Sequence, residues 1–77
     1  IAISLNNIGL ANKNKGDLNK ALEYYEKSYE IYKIIYADNP NHPNIATSLA
    51  NIATIYYEKA DYNKALEYHE KSYKIFK

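Results

Sequence analysis

Apolar positions along this chain recur at helical intervals. Ile1, Leu5 and Ile8 fall at i, i+4 and i+7, and Ile45, Leu49 and Ile52 repeat that spacing further on. A second kind of stripe runs through Ala21, Leu22, Tyr25, Tyr29 and Tyr32, and again through Ala65, Leu66, His69, Tyr73 and Phe76. Each stripe is the apolar face of an amphipathic helix, with Lys, Glu and Asn filling the polar face. The breaks fall where helices should stop. Gly16-Asp17 and Ala60-Asp61 separate the two kinds of segment, and each Asp offers an acceptor for the unpaired amides of the helix that follows. Asp38-Asn39-Pro40-Asn41-His42-Pro43 cannot extend a helix, while Pro43 suits the first turn of the next one. The pattern predicts four helices, over about 1–15, 18–36, 42–59 and 62–77. On their polar faces Glu23 with Lys27, Glu67 with Lys71 and Glu70 with Lys74 stand at i, i+4. Each such pair adds only a few tenths of a kcal/mol.

The stripes come in two copies. Residues 19–33 read NKALEYYEKSYEIYK and residues 63–77 read NKALEYHEKSYKIFK, identical at 12 of 15 positions and 44 residues apart. Setting Ile1 against Ile45 aligns 1–33 with 45–77 at 20 of 33 positions. Self-similarity at this period marks a stacked array, in which each unit offers its neighbour the same surface. The organisation is a first hairpin over 1–36, a loop over 37–41 and a second hairpin over 42–77, forming one repeat domain. The chain begins inside an apolar pattern without a Met, and so reads as a piece of a longer protein.

Composition narrows the functions more than it suggests one. Ten Lys against nine acidic residues leave a formal net charge of +1, with the signs interspersed, so no basic patch points to nucleic acid or to a membrane surface. No apolar run approaches the roughly 20 residues of a transmembrane helix. The absence of cysteine removes disulfides, thiolate metal sites and a thiol nucleophile. No Gly-rich phosphate loop or H-E-x-x-H is present. His42, flanked by prolines, reads as a turn or cap residue. His69, in an apolar slot, reads as a packed and hydrogen-bonded imidazole. Ser28 and Ser72 read as packing groups. Tyr25, Tyr29, Tyr32, Tyr56, Tyr62 and Tyr73 fall on core stripes, leaving Tyr24, Tyr57 and Tyr68 less constrained. The expectation is a chain with no catalytic residue, no metal and no cofactor.

The residues that carry the repeat resemble the tetratricopeptide repeat family. The first copy supplies Leu5, Ile8, Gly9, Gly16, Leu18, Ala21, Tyr25 and Ser28, and the second Leu49, Ile52, Ala53, Tyr56, Ala60, Tyr62, Ala65, His69 and Ser72. Small residues at 9, 53, 21 and 65 let paired helices approach, and the bulky ones fill the grooves between them. The departures are Asn12 in place of a Tyr, His69 in place of an aromatic, and Ser in place of Ala at 28 and 72. Asn12 suits an end of the array, where burial is lower. The 44-residue period exceeds the family's usual one, and the extension over 34–43 resembles the long repeats of kinesin light chain and its bacterial relatives. The resemblance implies an all-α fold of two helix-turn-helix hairpins, a fragment of a right-handed α-solenoid.

It also implies where a partner would bind. Ile3, Asn7, Leu10 and Asn14 form a stripe rotated away from Leu5 and Ile8, with Thr47, Asn51, Thr54 and Glu58 as equivalents. In the family this face lines a concave groove, and Asn7 and Asn51 match a slot several members use as an asparagine ladder. A side-chain amide can bond a peptide backbone without reading its side chains. Leu10, Thr54, Lys13, Asn14, Tyr57 and Glu58 are the further candidates around it. The resulting expectation is a cytoplasmic protein-interaction module that binds a protein or peptide partner in this groove, with no role for nucleic acid or membrane. The alternative is a structural segment that self-associates through apolar end faces bearing Ile1 and Leu5 at one end and Ile75 and Phe76 at the other.

Overall fold

A computed structural model describes residues 1–76, excepting the side chain of Phe76. Four helices follow one another, α1 (Ala2–Asn14), α2 (Leu18–Ile35), α3 (Pro43–Glu58) and α4 (Tyr62–Phe76), with no strand among the described residues. The Phe76 side chain, assigned above to the fourth stripe, and Lys77, placed above in the fourth helix, lie outside the described residues.

The turns inside the two hairpins are copies of one device. Gly16 has φ +86° and Ala60 φ +64°, the left-handed conformation that ends a helix. Gly16 N–H donates to the Lys13 carbonyl and Asp17 N–H to that of Asn12, at 3.0 and 2.9 Å. Ala60 and Asp61 repeat this on Tyr57 and Tyr56 at the same distances. The Asp then turns to the next helix. Asp17 Oδ1 accepts from Lys20 N–H at 3.1 Å, and Asp61 Oδ1 from Lys64 N–H at 3.3 Å. One residue thus satisfies a donor of the helix it opens while its own amide closes the helix before it.

Small residues set how closely the hairpins close. A Cβ placed on Gly9 would lie 2.9 Å from the Tyr25 ring and 3.3 Å from the Ala21 carbonyl oxygen. A larger residue there would have to displace the Tyr25 ring. At the other end of each hairpin a buried serine ties the helices together. Ser28 Oγ donates to the Ala2 carbonyl and Ser72 Oγ to the Ala46 carbonyl, both at 2.9 Å. These serines do more than fill space, and each bond adds on the order of 1 kcal/mol.

The loop between hairpins is pinned by His42. Its Nδ1 accepts from Asn44 N–H at 3.0 Å and caps α3, with Pro43 in the first turn. Its ring stacks on Tyr36 at a centroid distance of 3.7 Å, and the Tyr36 hydroxyl accepts from Asn44 Nδ2 at 3.1 Å. The proline-flanked histidine is a cap.

The core sits between the hairpins. Ala21 and Tyr25 of α2 and Ile52 and Ile55 of α3 are all but fully buried, with Leu18, Leu22, Tyr29, Tyr56 and Tyr68 packed around them. The central helix α3 touches both α2 and α4 and buries seven residues. The result is a slab with extents of 35, 28 and 13 Å. Its polar faces carry ion pairs Glu23–Lys27, Glu30–Lys33 and Glu67–Lys71 at 3.1 to 3.4 Å. Among the described residues Glu70 and Lys74 do not close the pair their spacing invites.

Five residues assigned to apolar stripes from periodicity are exposed. His69 is exposed, not a packed imidazole. Tyr62 and Tyr73, placed on core stripes, are 59% and 66% exposed, and Leu66 is 61% exposed. Ile8 is 43% exposed. The reason is common to all of them. Their counterparts Leu18, Leu22, Tyr25, Tyr29 and Ile52 are packed where the two hairpins meet, and helical periodicity reports which face is apolar without reporting what covers it.

Candidate functional site

Two surfaces remain after the core is built, and the first is the face shared by α1 and α3. Each of these helices is the leading arm of its hairpin, and one side-chain hydrogen bond joins them. Asn51 Nδ2 donates to Asn6 Oδ1 at 2.9 Å, bridging the hairpins. Asn51 therefore has one N–H engaged. Its other N–H and its carbonyl oxygen remain, together with both donors of Asn6 Nδ2. Asn7 is exposed beside this pair, flanked by Ile3 and Leu10 at 67% and 44% exposure. Asn6 was not among the expected site residues. Its signal was weak, since Asn6 is replaced by Ala50 in the second copy and repetition does not mark it.

The remaining candidates divide. Thr54 Oγ donates to the Ala50 carbonyl of its own helix at 3.0 Å, leaving the hydroxyl oxygen as an acceptor. Lys13 is half-buried, and Asn14 and Glu58 are exposed. Tyr57 is exposed and meets Tyr62 edge to face at 5.2 Å between centroids. Tyr57 thereby belongs partly to the second surface, the outer side of α4, where Tyr62, Leu66 and His69 line an open apolar groove with it.

Electrostatics add little to either surface. Burial, and then the Glu58 carboxylate, push the Tyr25 hydroxyl above its ordinary range. Burial does the same to Tyr56, reinforced by Glu26. A hydrogen bond to Glu30 raises Lys33. Among the described residues no cluster of His, Asp and Glu could hold a metal ion, and no helix is long and apolar enough to cross a membrane.

Paired antiparallel helices repeated at 44 residues, closed by small residues and stacked through α2 and α3, define a helical-repeat scaffold. The tetratricopeptide repeat family model matches residues 1–77, the whole chain, and the chain belongs to that family. The family is a protein-interaction scaffold. No curated protein and no solved structure matches the chain.

Proposed function

We propose that the α1/α3 face holds an extended segment of a partner protein. The observation that supports this reading is the amide pair Asn6–Asn51, 2.9 Å apart and spanning the two hairpins, with exposed Asn7, Ile3 and Leu10 alongside. Amides offer backbone bonds to any sequence, and the apolar neighbours supply contact area. Lys13, Asn14, Tyr57 and Glu58 stand at the rim, where they would select among segments.

The test begins with peptides selected from a displayed random library for binding to the chain. Asn7→Ala combined with Asn51→Ala should weaken a selected peptide by about thirtyfold, at roughly 1 kcal/mol per lost bond. Backbone chemical shifts should move along α1 and α3. Unchanged affinity in a variant of intact helicity would remove the amides from the account.

A second reading, stacking between copies, has its own observation. Tyr62, Leu66 and Tyr73 on α4 correspond to Leu18, Leu22 and Tyr29 on α2, which pack on the core with α3. On α1 the receiving positions are Ile8, Ala11 and Asn12, where α3 has Ile52, Ile55 and Tyr56. The head-to-tail contact would be a thinner version of the internal one. Light scattering across a concentration series separates the cases, because stacking raises the mass with concentration.

A further inference from the structure

A further apolar recess lies on neither of those surfaces. A cavity of about 370 Å³ opens between α2 and α4 above α3. Its floor is Ile45 and Leu49, each nearly buried, and Ile75 stands on the α4 side. Tyr29 and Tyr36 form the opposite wall. Tyr36 is held in place by its stack on His42 at 3.7 Å and its hydrogen bond with Asn44 at 3.1 Å. This wall is therefore set before any ligand arrives, which lowers the cost of binding.

The charged residues lining the cavity are all cationic: Lys33 from α2, and Lys71 and Lys74 from α4. Lys33 is paired with Glu30 at 3.2 Å and Lys71 with Glu67 at 3.4 Å, and each ammonium also lies over a ring, Tyr29 at 4.8 Å and Tyr68 at 5.0 Å. These are exposed pairs, worth little and easily exchanged. Lys74 has Glu70 nearby but, among the described residues, makes no ion pair. No carboxylate lines the cavity, whereas three lysines do.

We propose that this cavity binds a small amphiphilic carboxylate, an aryl or alkyl body of about ten carbons seated on Ile45 and Leu49 with its carboxylate among the three lysines. The volume lies at the lower end of small-molecule sites. The lysine rim selects the anion over a neutral or cationic analogue. The site depends on the packing of two consecutive hairpins, so it is absent from an isolated one. It is independent of the α1/α3 face.

The experiment is a titration of the chain with 4-phenylbutyrate, followed by NMR, with 4-phenylbutyramide as the neutral control. A dissociation constant on the order of 1 mM or tighter is expected for so few atoms. Shifts should concentrate at Ile45, Leu49, Tyr36 and Ile75 and leave Asn7 and Asn51 unmoved. The amide should bind about fivefold more weakly, and raising the salt should narrow the difference. Lys74→Gln, an exposed change that leaves the fold intact, should weaken the carboxylate alone by about two- to fivefold. Equal affinity for acid and amide overturns the proposal, as does a shift pattern centred elsewhere. Tighter saturation of the same residues by an acidic phenylalanine-containing peptide also overturns it, making the cavity an anchor for a protein chain. The acid–amide comparison uses the unaltered chain and stands even if the variant misfolds.

Discussion

Gly9 and Tyr25 show how much a single atom decides in a hairpin this tight. In the second copy their equivalents are Ala53, which is buried, and His69, which is exposed. Gly9→Ala would gain about 1 kcal/mol of helix propensity but force a methyl against the Tyr25 ring, an overpacking cost of about 1–3 kcal/mol. Urea denaturation should show a net loss of about 1 kcal/mol. Ala60 is the opposite case. Its φ of +64° strains a residue with a Cβ, and Gly16 shows the unstrained solution at the same place in the first copy. Ala60→Gly should raise stability by about 1 kcal/mol, a gain the same denaturation curves would show. Tyr25 also gives the chain an alkaline limit. Its folded-state pKa lies above 10 through burial, so the unfolded chain ionises first. The stabilisation is complete below the unfolded value near 10 and is lost as pH rises through the folded one. Stability of the parent chain should therefore fall above about pH 10, and Tyr25→Phe should flatten that fall.

At the scale of elements, the helices are separated by two kinds of break. The breaks within hairpins are glycine-like turns with Asp caps, legible from Gly16-Asp17 and Ala60-Asp61 because backbone geometry there depends on adjacent residues. The break between hairpins depends on residues further apart. Tyr36, His42 and Asn44 close it by a stack and two hydrogen bonds. The cap role of His42 was readable from its position before Pro43. The partnership with Tyr36 was not, since nothing in a local pattern says where a loop brings two rings. His42→Ala removes the cap acceptor and the stack together and should cost about 1–2 kcal/mol. Hydrogen exchange at the Asn44 and Ile45 amides should quicken first.

For the whole molecule, the two copies differ in what they meet. Leu22 packs at the interface of α2 with α3, whereas Leu66, its equivalent, faces open space at 61% exposure. Leu22→Gln should therefore destabilise by about 1–2 kcal/mol, and Leu66→Gln by no more than about 0.5 kcal/mol. A matched loss at both sites in dilute solution would show that α4 is already covered, as stacking between copies requires. The same asymmetry explains why Tyr62, Tyr73 and His69 were misplaced from periodicity: an apolar stripe is a property of one helix, and burial is a property of two.

The chain's own residues settled the four helices, their pairing into repeated hairpins and the family, because these follow from periodicity, turn chemistry and the 44-residue self-similarity. They also singled out Asn7 and Asn51 as amides on one stripe. Only the packed structure decided that Asn51 is bonded to Asn6, that Ser28 and Ser72 tie α1 to α2 and α3 to α4, and that three lysines ring a recess over α3. Helical spacing is set by bonds a few residues apart, whereas these contacts join residues from 26 to 45 positions apart, or residues on three different helices. Their geometry exists only once the hairpins have stacked.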